Sequence, residues 1–465
     1  MLRDRYEPDP RFWAIVEQLA IEMDPVLAQI DRILEDDELF RMIKRDLSKN
    51  RPKTLETGRN STPVEVIARM LAVKRLYDLS YEKTERHVND SLVLRWFCRV
   101  YFHPVLDHSN LNKWALLIQP DTLYAFNDRI TAIATELKLT RGRKLRTDGT
   151  VVETNIHYPT DSSLLTDGVR VLSRTIKHAK EILVQRADMT AQTFRDRTRS
   201  ARNQARRIAD RARRRGSEVK TEMKEAYRKL VSTTKASVKQ AKQVLGALKE
   251  QGTKQANRLA AILEQFIPRV EQVIAQAVRR VFEAEVVPAQ EKIVSIFEPH
   301  TDIIRRNKAQ KPTEFGHKVW FDEVEGGIVT NCRVLEGNPP DRDQWQPTLE
   351  YHVQQFGRPP DQASADRGVH SANNEAYATE IGVKRVILPK PGRKSAARRQ
   401  HEQQRWFKRG RRFHAGVEGR ISVLKRRHGL GRCLYHGEDG FERWVGWGVI
   451  AGNLAVIGTA LAARG

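Results

Sequence analysis

Proline is absent from Leu165 through Ile267, and alanine, lysine, arginine and glutamine dominate that stretch. Without the residue that most strongly breaks a helix, the segment is free to stay helical along its length. Small or apolar residues recur at Ala201, Ala205, Ile208, Ala212, Val219, Met223, Ala226, Leu230, Ala241, Val244 and Leu248. Steps of mostly three and four put them on one face, the seam of a helical hairpin or coiled coil. Gly216 and Gln251-Gly252-Thr253 are the expected turns. From Arg174 to Glu250 there are 22 basic and 8 acidic residues, a local charge of +14. A solvated helix face usually mixes signs. This surplus favours an arm that tracks phosphates, with Arg206, Arg207, Arg213 and Arg214 as candidate DNA contacts. A merely solvated face is the plainer alternative.

The whole chain repeats that bias. Of 465 residues, 82 are Lys or Arg and 58 Asp or Glu, a net charge of +24. Such an excess points to a polyanion, most simply nucleic acid, with an anionic membrane surface as the weaker option. With 40% hydrophobic and 30% charged residues, a packed core is expected and wholesale disorder is not. The length suggests about three domains. Cys98, Cys332 and Cys433 lie far apart, with no CxxC pair, so neither a disulfide framework nor a structural zinc site is expected. A reducing compartment fits. The start, MLRDRYEPDPRF, has no signal pattern. Trp444–Ala462 carries no charge and is nearly long enough to span a bilayer. It also contains Gly446, Gly448, Gly452, Asn453 and Gly458, which favour a buried C-terminal helix with close neighbours.

Residues 1–140 read as helical. Val66, Ile67, Met70, Leu71, Val73 and Leu76 recur at helical spacing, and Ser80 is placed to cap a following helix. The short turn between them resembles a helix-turn-helix DNA reader, with an ordinary helical bundle as the alternative. In 143–160 the run Thr147, Thr150, Val151, Val152, with Gly149 as turn or bulge, predicts two short strands. Farther on, KVWFDEV and GIVTNCRVLEG predict paired strands joined through Glu325-Gly326-Gly327. A helix in DRDQWQPTLEYHVQQFG, a strand in DQASAD, a helix in NNEAYATEIG and a strand in VKRVILP complete an α/β pattern. Residues 390–432 then carry 15 Lys or Arg against only Glu402 and Glu418.

Two carboxylates end predicted strands: Asp148 in LRTDGTVV and Asp366 in ASADRGVHS. Strand ends open onto clefts at a sheet edge, although Asp is common there simply because it starts turns. A third acid sits in RRFHAGVEGRISVLKRRHGLGR, which reads as a helix. Seven residues make nearly two turns, so Arg411, His414, Glu418 and Lys425 share a face. Facing water, Glu418 balances charge; facing DNA, a lone acid repels phosphate unless a cation lies between, which marks it as a metal ligand. Three carboxylates in a basic chain suit two Mg²⁺ ions, which prefer oxygen donors. Such a pair, ~3.5–4 Å apart, holds the attacking and leaving oxygens of an in-line phosphoryl transfer. No Walker loop, GxSxG or HExxH competes.

TDGTVVETNIHYPTDSSLL, SIFEPHTDIIRRNKAQKPTEFGHKV, ASADRGVHS and HAGVEGRISVLKRRHGLGRC together resemble the DDE transposases of bacterial insertion sequences, especially the ISNCY-like group. The resemblance implies a discontinuous RNase H-like core, an α/β fold interrupted by an all-helical insertion. The expected parts are a helical DNA-binding domain at 1–140, the first part of the core at 141–165, a basic coiled-coil-like insertion at 166–301, and the rest of the core with a C-terminal helix at 302–465. It maps the family's acids onto Asp148, Asp366 and Glu418 as catalytic metal ligands for two Mg²⁺, with Mn²⁺ as substitute. Relatives often carry Tyr-x2-Arg-x3-Glu-x6-Lys around the glutamate; here those positions are Arg411, His414, Glu418 and Lys425, so Glu and Lys match and Tyr and Arg do not. Arg411, His414 and Lys425 are thereby candidate DNA contacts. The resemblance further implies binding and cutting of terminal inverted repeats, joining of the 3′ ends to target DNA, a homodimer on double-stranded DNA, and a bacterial cytoplasmic, nucleoid-associated protein with no membrane partner. A catalytically inactive DNA-binding relative and an RNase H-like nuclease are the rival readings. Glu153, Asp161, Asp167, Asp322, Glu323, Asp341 and Asp343 are expected at turns, caps or surfaces. His370 is expected as a structural or phosphate-contacting residue.

Overall fold

The computed structural model describes residues 1–49, 52–58, 60–183, 193–214, 216–305 and 312–464. The chain forms two compact units, Met1–Asn155 with His317–Gly465, and Ile156–Gly316. It is a helix-rich mixed α/β protein.

Among the described residues of the first unit, eight α-helices precede the sheet: α1 (Pro10–Gln18), α2 (Pro25–Ile33), α3 (Asp37–Lys49), α4 (Val64–Leu76), α5 (Tyr81–Asp90), α6 (Leu92–Phe97), α7 (His108–Leu117) and α8 (Pro120–Glu136). Polar side chains fix their starts: Asp24, Ser80, Ser91 and Asp107 each accept an otherwise orphaned backbone N–H. The predicted Ser80 cap is present, with Oγ accepting from Lys83 N at 3.2 Å. α4 is buried from Val64 through Arg75 on every face, charged residues included. Arg69 is tolerated there because Asp31, Glu65 and the carbonyls of Leu34 and Phe97 take up its guanidinium.

Strand β1 (Lys144–Thr154) follows; β2 (Asp302–Arg305) lies in the second unit, and the chain returns to the first along β3 (Thr313–Val324) and continues through β4 (Ile328–Leu335), β5 (Gln362–Ser364), β6 (Arg385–Ile387) and β7 (Arg432–Cys433). Residues 143–160 thus hold one long strand rather than the two expected. Gly149 is not a turn: a Cβ there would lie 2.9 Å from the Trp320 ring, so glycine admits the indole of β3. The order within the first unit is β4-β3-β1-β5-β6, with β7 beside the end of β1. β3 and β4 form the expected antiparallel hairpin, while β1, β5 and β6 run parallel. β2 pairs antiparallel with the first residues of β3, Thr313–Gly316, in the second unit.

The second unit contains α9 (Asp161–Leu183), α10 (Thr198–Ala212), α11 (Ser217–Gln251) and α12 (Lys254–Val281). α11 begins after Gly216 and ends at the left-handed Gly252, and Thr253 caps α12, as the turn signals predict. Buried seam residues include Ala201, Ile208, Ala226, Leu230, Ala241, Val244 and Leu248. Their partners come from all four helices, since α9 and α12 also pack on each other and on α11. The unit is therefore a four-helix bundle, and the two-helix hairpin is only part of it. Helix α12 continues through Pro268.

The remaining helices return to the first unit: α13 (Trp345–Phe356), α14 (Ala372–Glu380), α15 (Ala396–Gln403), α16 (Arg405–Arg427) and α17 (Glu438–Ala462). α17 is the only described helix long and apolar enough to cross a membrane. Here it packs against α2, α4, α8 and β4 as a core helix. Its glycines act as expected: a Cβ on Gly446, Gly448, Gly452 or Gly458 would meet a neighbour at 3.0 Å or closer. Buried Asn453 is satisfied by Val329 N and O of β4 and by Asn127. All three cysteines are buried and none forms a disulfide.

Candidate active site

The β1–β5 register pairs Lys144 with Gln362 and Arg146 with Ser364. Two residues beyond the last pair lie Asp148 and Asp366. Ala365 still hydrogen-bonds along β6, and Asp366 is extended before it opens a short 3₁₀ turn at Arg367–Val369. The pairing stops at Arg146–Ser364, where the backbones lie ~4.8 Å apart; continued two residues further, the same register leads to Asp148 on β1 and to Asp366 just past the end of β5. Asp148 is in the middle of β1 rather than at its end; it is β5 that stops beside it.

Alternation decides which face they share. Arg146 donates to Phe413 O of α16 at 2.6 Å, and Val152 packs with Val417, Ile421 and Leu424 of α16. Asp148, between them at period two, points to the same face. Helix α16 crosses β1, β5 and β6 on that side. His414 of α16 brings Nε2 to 3.9 Å from Asp366, and Glu418 lies one turn further along the same helix.

Glycines let α16 come this close. A Cβ on Gly410 would lie 2.4 Å from Ile387 of β6, and one on Gly416 would lie 2.1 Å from Arg146 Nη1. Arg146 is itself locked: Nε and Nη2 donate to the buried Glu323 carboxylate at 2.8 and 2.5 Å. Its guanidinium also sits 4.8 Å from the Phe413 ring. At the other end of the crossing, Lys425 Nζ donates to Val151 O at 2.7 Å. Sequence reasoning missed this clasp, because Arg146 and Glu323 are 177 residues apart. Gly416 inside a helix was the available signal, since glycine there costs about 1 kcal/mol unless close packing needs it.

The members of the candidate site differ in exposure. Glu418, Asp366 and Arg411 are exposed, Asp148 and Lys425 half-buried, and His414 nearly covered. Burial holds the His414 imidazole below its ordinary value, against the opposing pull of Asp366, so the ring is neutral near pH 7. Asp148 Oδ1 accepts from Gly149 N at 2.7 Å. The outer side of α16 also exposes Arg405, Lys408, Arg409, Arg412, Arg426 and Arg427, leaving Glu418 the single acid of that helix. Among the described residues, no three His, Cys, Asp or Glu side chains cluster closely enough to hold a metal ion.

The other acids are occupied. Asp322 accepts from Thr147, Asn331 and Thr348, so it and Glu323 are buried structural groups and not turn, cap or surface residues. Asp341 pairs with Lys318, Asp167 with His157 and Arg170, Asp161 with Arg280, and Glu153 with Arg432. His370 faces Glu375 at 3.8 Å. In the second unit Arg206 and Arg207 are exposed on α10, and Arg213 and Arg214 are exposed just past its end. Arg215, next in the same run, lies outside the described residues.

Compared with known protein families, residues 16–115 match the transposase domain DUF772. The N-terminal helices are thus similar to a transposase-domain family. The matched transposase domain spans α2 to α6 and most of α7. It supports a transposase of insertion-sequence type, whose partner is DNA. No curated protein and no solved structure matches the chain.

Proposed function

We propose that this chain is a DDE transposase that binds the terminal inverted repeats of its insertion sequence, cuts there, and joins the 3′ ends to target DNA. The observation that carries the reading is the parallel β1–β5 register, which leads to Asp148 on β1 and to Asp366 two residues past β5, on the face crossed by the helix that bears Glu418. A central strand flanked by a hairpin on one side and two parallel strands on the other supports an RNase H-like core. The transposase-domain match in the N-terminal helices supports the same activity from a separate part of the chain.

The donor chemistry fits divalent magnesium, with manganese as substitute: three carboxylates offer hard oxygens at the edge of a basic surface. Asp148 and Asp366 would hold the ions from the sheet, and Glu418, free to change rotamer at the surface, from the helix. When bound, two such ions supply Lewis acidity for in-line phosphoryl transfer. The chain's own residues do the positioning. Arg146, Glu323 and Gly416 hold α16 against β1, and the basic outer face of α16, Arg411 included, receives the phosphate backbone. Neutral His414 donates or accepts beside Asp366, and Lys425 secures the far end of the crossing. Arg206, Arg207, Arg213 and Arg214 supply sequence-independent contacts from the second unit. Bringing two transposon ends together calls for a homodimer on DNA, and a bacterial cytoplasmic, nucleoid-associated location follows from the substrate.

The test is incubation with the ends of its own element and Mg²⁺ or Mn²⁺, followed by strand mapping. Nicks at the repeat termini with 3′ ends joined to target are expected. Nicking without joining would make it a nuclease, and binding without nicking an inactive relative.

A further inference from the structure

At the start of β1, ahead of Asp148, lies a cavity of about 640 Å³ between the end of α8, the loop leading into β1 and the end of α13. Lys138, Arg141, Arg143 and Arg358 ring it, and Phe356 is part of its wall. The acids nearby make their hydrogen bonds and ion pairs elsewhere, and only the Asp361 charge also acts at longer range on Arg358 and Arg143. Glu136 pairs with Arg129 at 2.8 Å, and Asp361 with Lys384 at 2.9 Å. Glu325 spends its carboxylate on the loop backbone, accepting from the N–H groups of Arg141, Arg143 and Lys144 at 3.0, 2.9 and 2.7 Å. The side chains of Lys138, Arg141 and Arg143 have no hydrogen-bond or ion-pair partner among the described residues, and all three are exposed.

The loop that carries the two arginines is built rather than slack. Gly142 takes φ +60°, a left-handed conformation, and a Cβ there would lie 2.6 Å from the Phe356 ring. Its carbonyl meets Nε2 of buried His352 at 3.0 Å, and Arg358 donates to Arg141 O at 2.6 Å. Three side chains from distant parts of the sequence thus fix the backbone, while the Arg141 and Arg143 side chains make no hydrogen bond or ion pair among the described residues. A loop held this way has already met much of its ordering cost, so a ligand need not pay it again. Guanidinium forks with no acid partner are suited to phosphate oxygens.

We propose that this cavity is a second phosphodiester-binding site, a backbone contact for a nucleic-acid strand distinct from the candidate active site. The assignment rests on nucleic acid being the chain's partner, but not on catalysis by the three acids. Arg141 and Arg143 each grip a phosphate, Lys138 and Arg358 add charge at the rim, and the site reads no base sequence.

The test uses the full chain and duplex DNA without divalent metal. Phenylglyoxal modification of arginines is read by mass spectrometry with duplex, with inorganic phosphate at matched phosphate concentration, or with neither. In parallel, the salt dependence of duplex binding is compared between the wild type and Arg141→Gln/Arg143→Gln. Expected are protection of Arg141 and Arg143 by duplex alone, unchanged reaction at exposed Arg11, and a log–log salt slope shallower by about 2, from roughly 0.9 per phosphate contact. Equal protection by inorganic phosphate with an unchanged slope would overturn the proposal in favour of a small-anion site. Duplex binding with neither effect would overturn it and leave the transposase reading standing. Absence of any duplex binding would overturn both.

Discussion

Replacing Arg146 by alanine removes three hydrogen bonds at once: two to Glu323, which is 1% exposed, and one to Phe413 O. Glu323 is left as a buried carboxylate without its main partner. Breaking a buried pair from one side costs roughly 3–5 kcal/mol. Arg420, whose charge also acts on Glu323, offsets part of this, so the expected loss is near the lower end, about 3 kcal/mol. Arg146→Met with Glu323→Leu removes both charges and is expected to regain most of the loss, since apolar replacements of a buried pair are often neutral. The assay is urea unfolding followed by tryptophan fluorescence. All eight tryptophans lie in the first unit, so the signal reports that unit alone. With a urea dependence of about 3 kcal/mol per molar, the midpoint of Arg146→Ala falls by about 1 M. A loss below about 1 kcal/mol, or a double variant no more stable than Arg146→Ala, would refute the view that this pair clamps α16 to the sheet.

Asp148→Asn, Asp366→Asn and Glu418→Gln are each expected to lower nicking at least about a hundredfold, the scale of losing metal-borne charge stabilisation, with duplex binding at fixed salt nearly unchanged; full-rate cutting by any of them removes that residue from the site. Reversing Arg206, Arg207, Arg213 and Arg214 to Glu weakens binding to all sequences and flattens the salt slope by about 3–4, as titrations at several salt concentrations would read. Buried His352 and His428 are both held at about 4 by desolvation, below the ordinary imidazole value of 6.5. In that window the unfolded chain binds more protons, so stability is full above pH 6.5 and is lost as pH falls towards 4, by up to about 3 kcal/mol per histidine. His352→Gln/His428→Gln should flatten this fall in urea midpoint between pH 7 and 5, and an unaltered pH profile would show that other groups set it.

Local signals in the sequence were legible where the chain's own chemistry decides the structure. The β3–β4 hairpin through Gly326-Gly327, helix α14 across most of NNEAYATEIG, the Ser80 cap and the turns at Gly216 and Gly252 all follow from neighbouring residues. What was not legible depends on distant partners. Gly149 carries the same letter as a turn glycine, and only the Trp320 ring across the sheet shows that it serves close packing in one continuous strand. Helix α4 reads as amphipathic because Arg69, Lys74 and Arg75 look like a solvent face. Their burial rests on Asp31 and Glu65 for Arg69, on the His428 and Trp444 carbonyls for Arg75, and on the rings of Tyr81, Tyr435 and Trp444 around Lys74. The seam of the second unit shows its period but not the number of helices that share it. At the candidate site, predicted strand ends, a helix face and the family resemblance drew attention to Asp148, Asp366 and Glu418, whereas the register that leads to the two aspartates needed the β1–β5 pairing.

Iron-directed cleavage tests the central arrangement most directly. Fe²⁺ in place of Mg²⁺, with ascorbate and peroxide, cuts backbone only close to where the ion is held, and mass spectrometry locates the cuts in the DNA-bound protein. Three separate breaks, next to residues 148, 366 and 418, all suppressed by excess Mg²⁺, are expected. Cuts confined to one of these segments, or falling elsewhere in the chain, would contradict a shared metal centre.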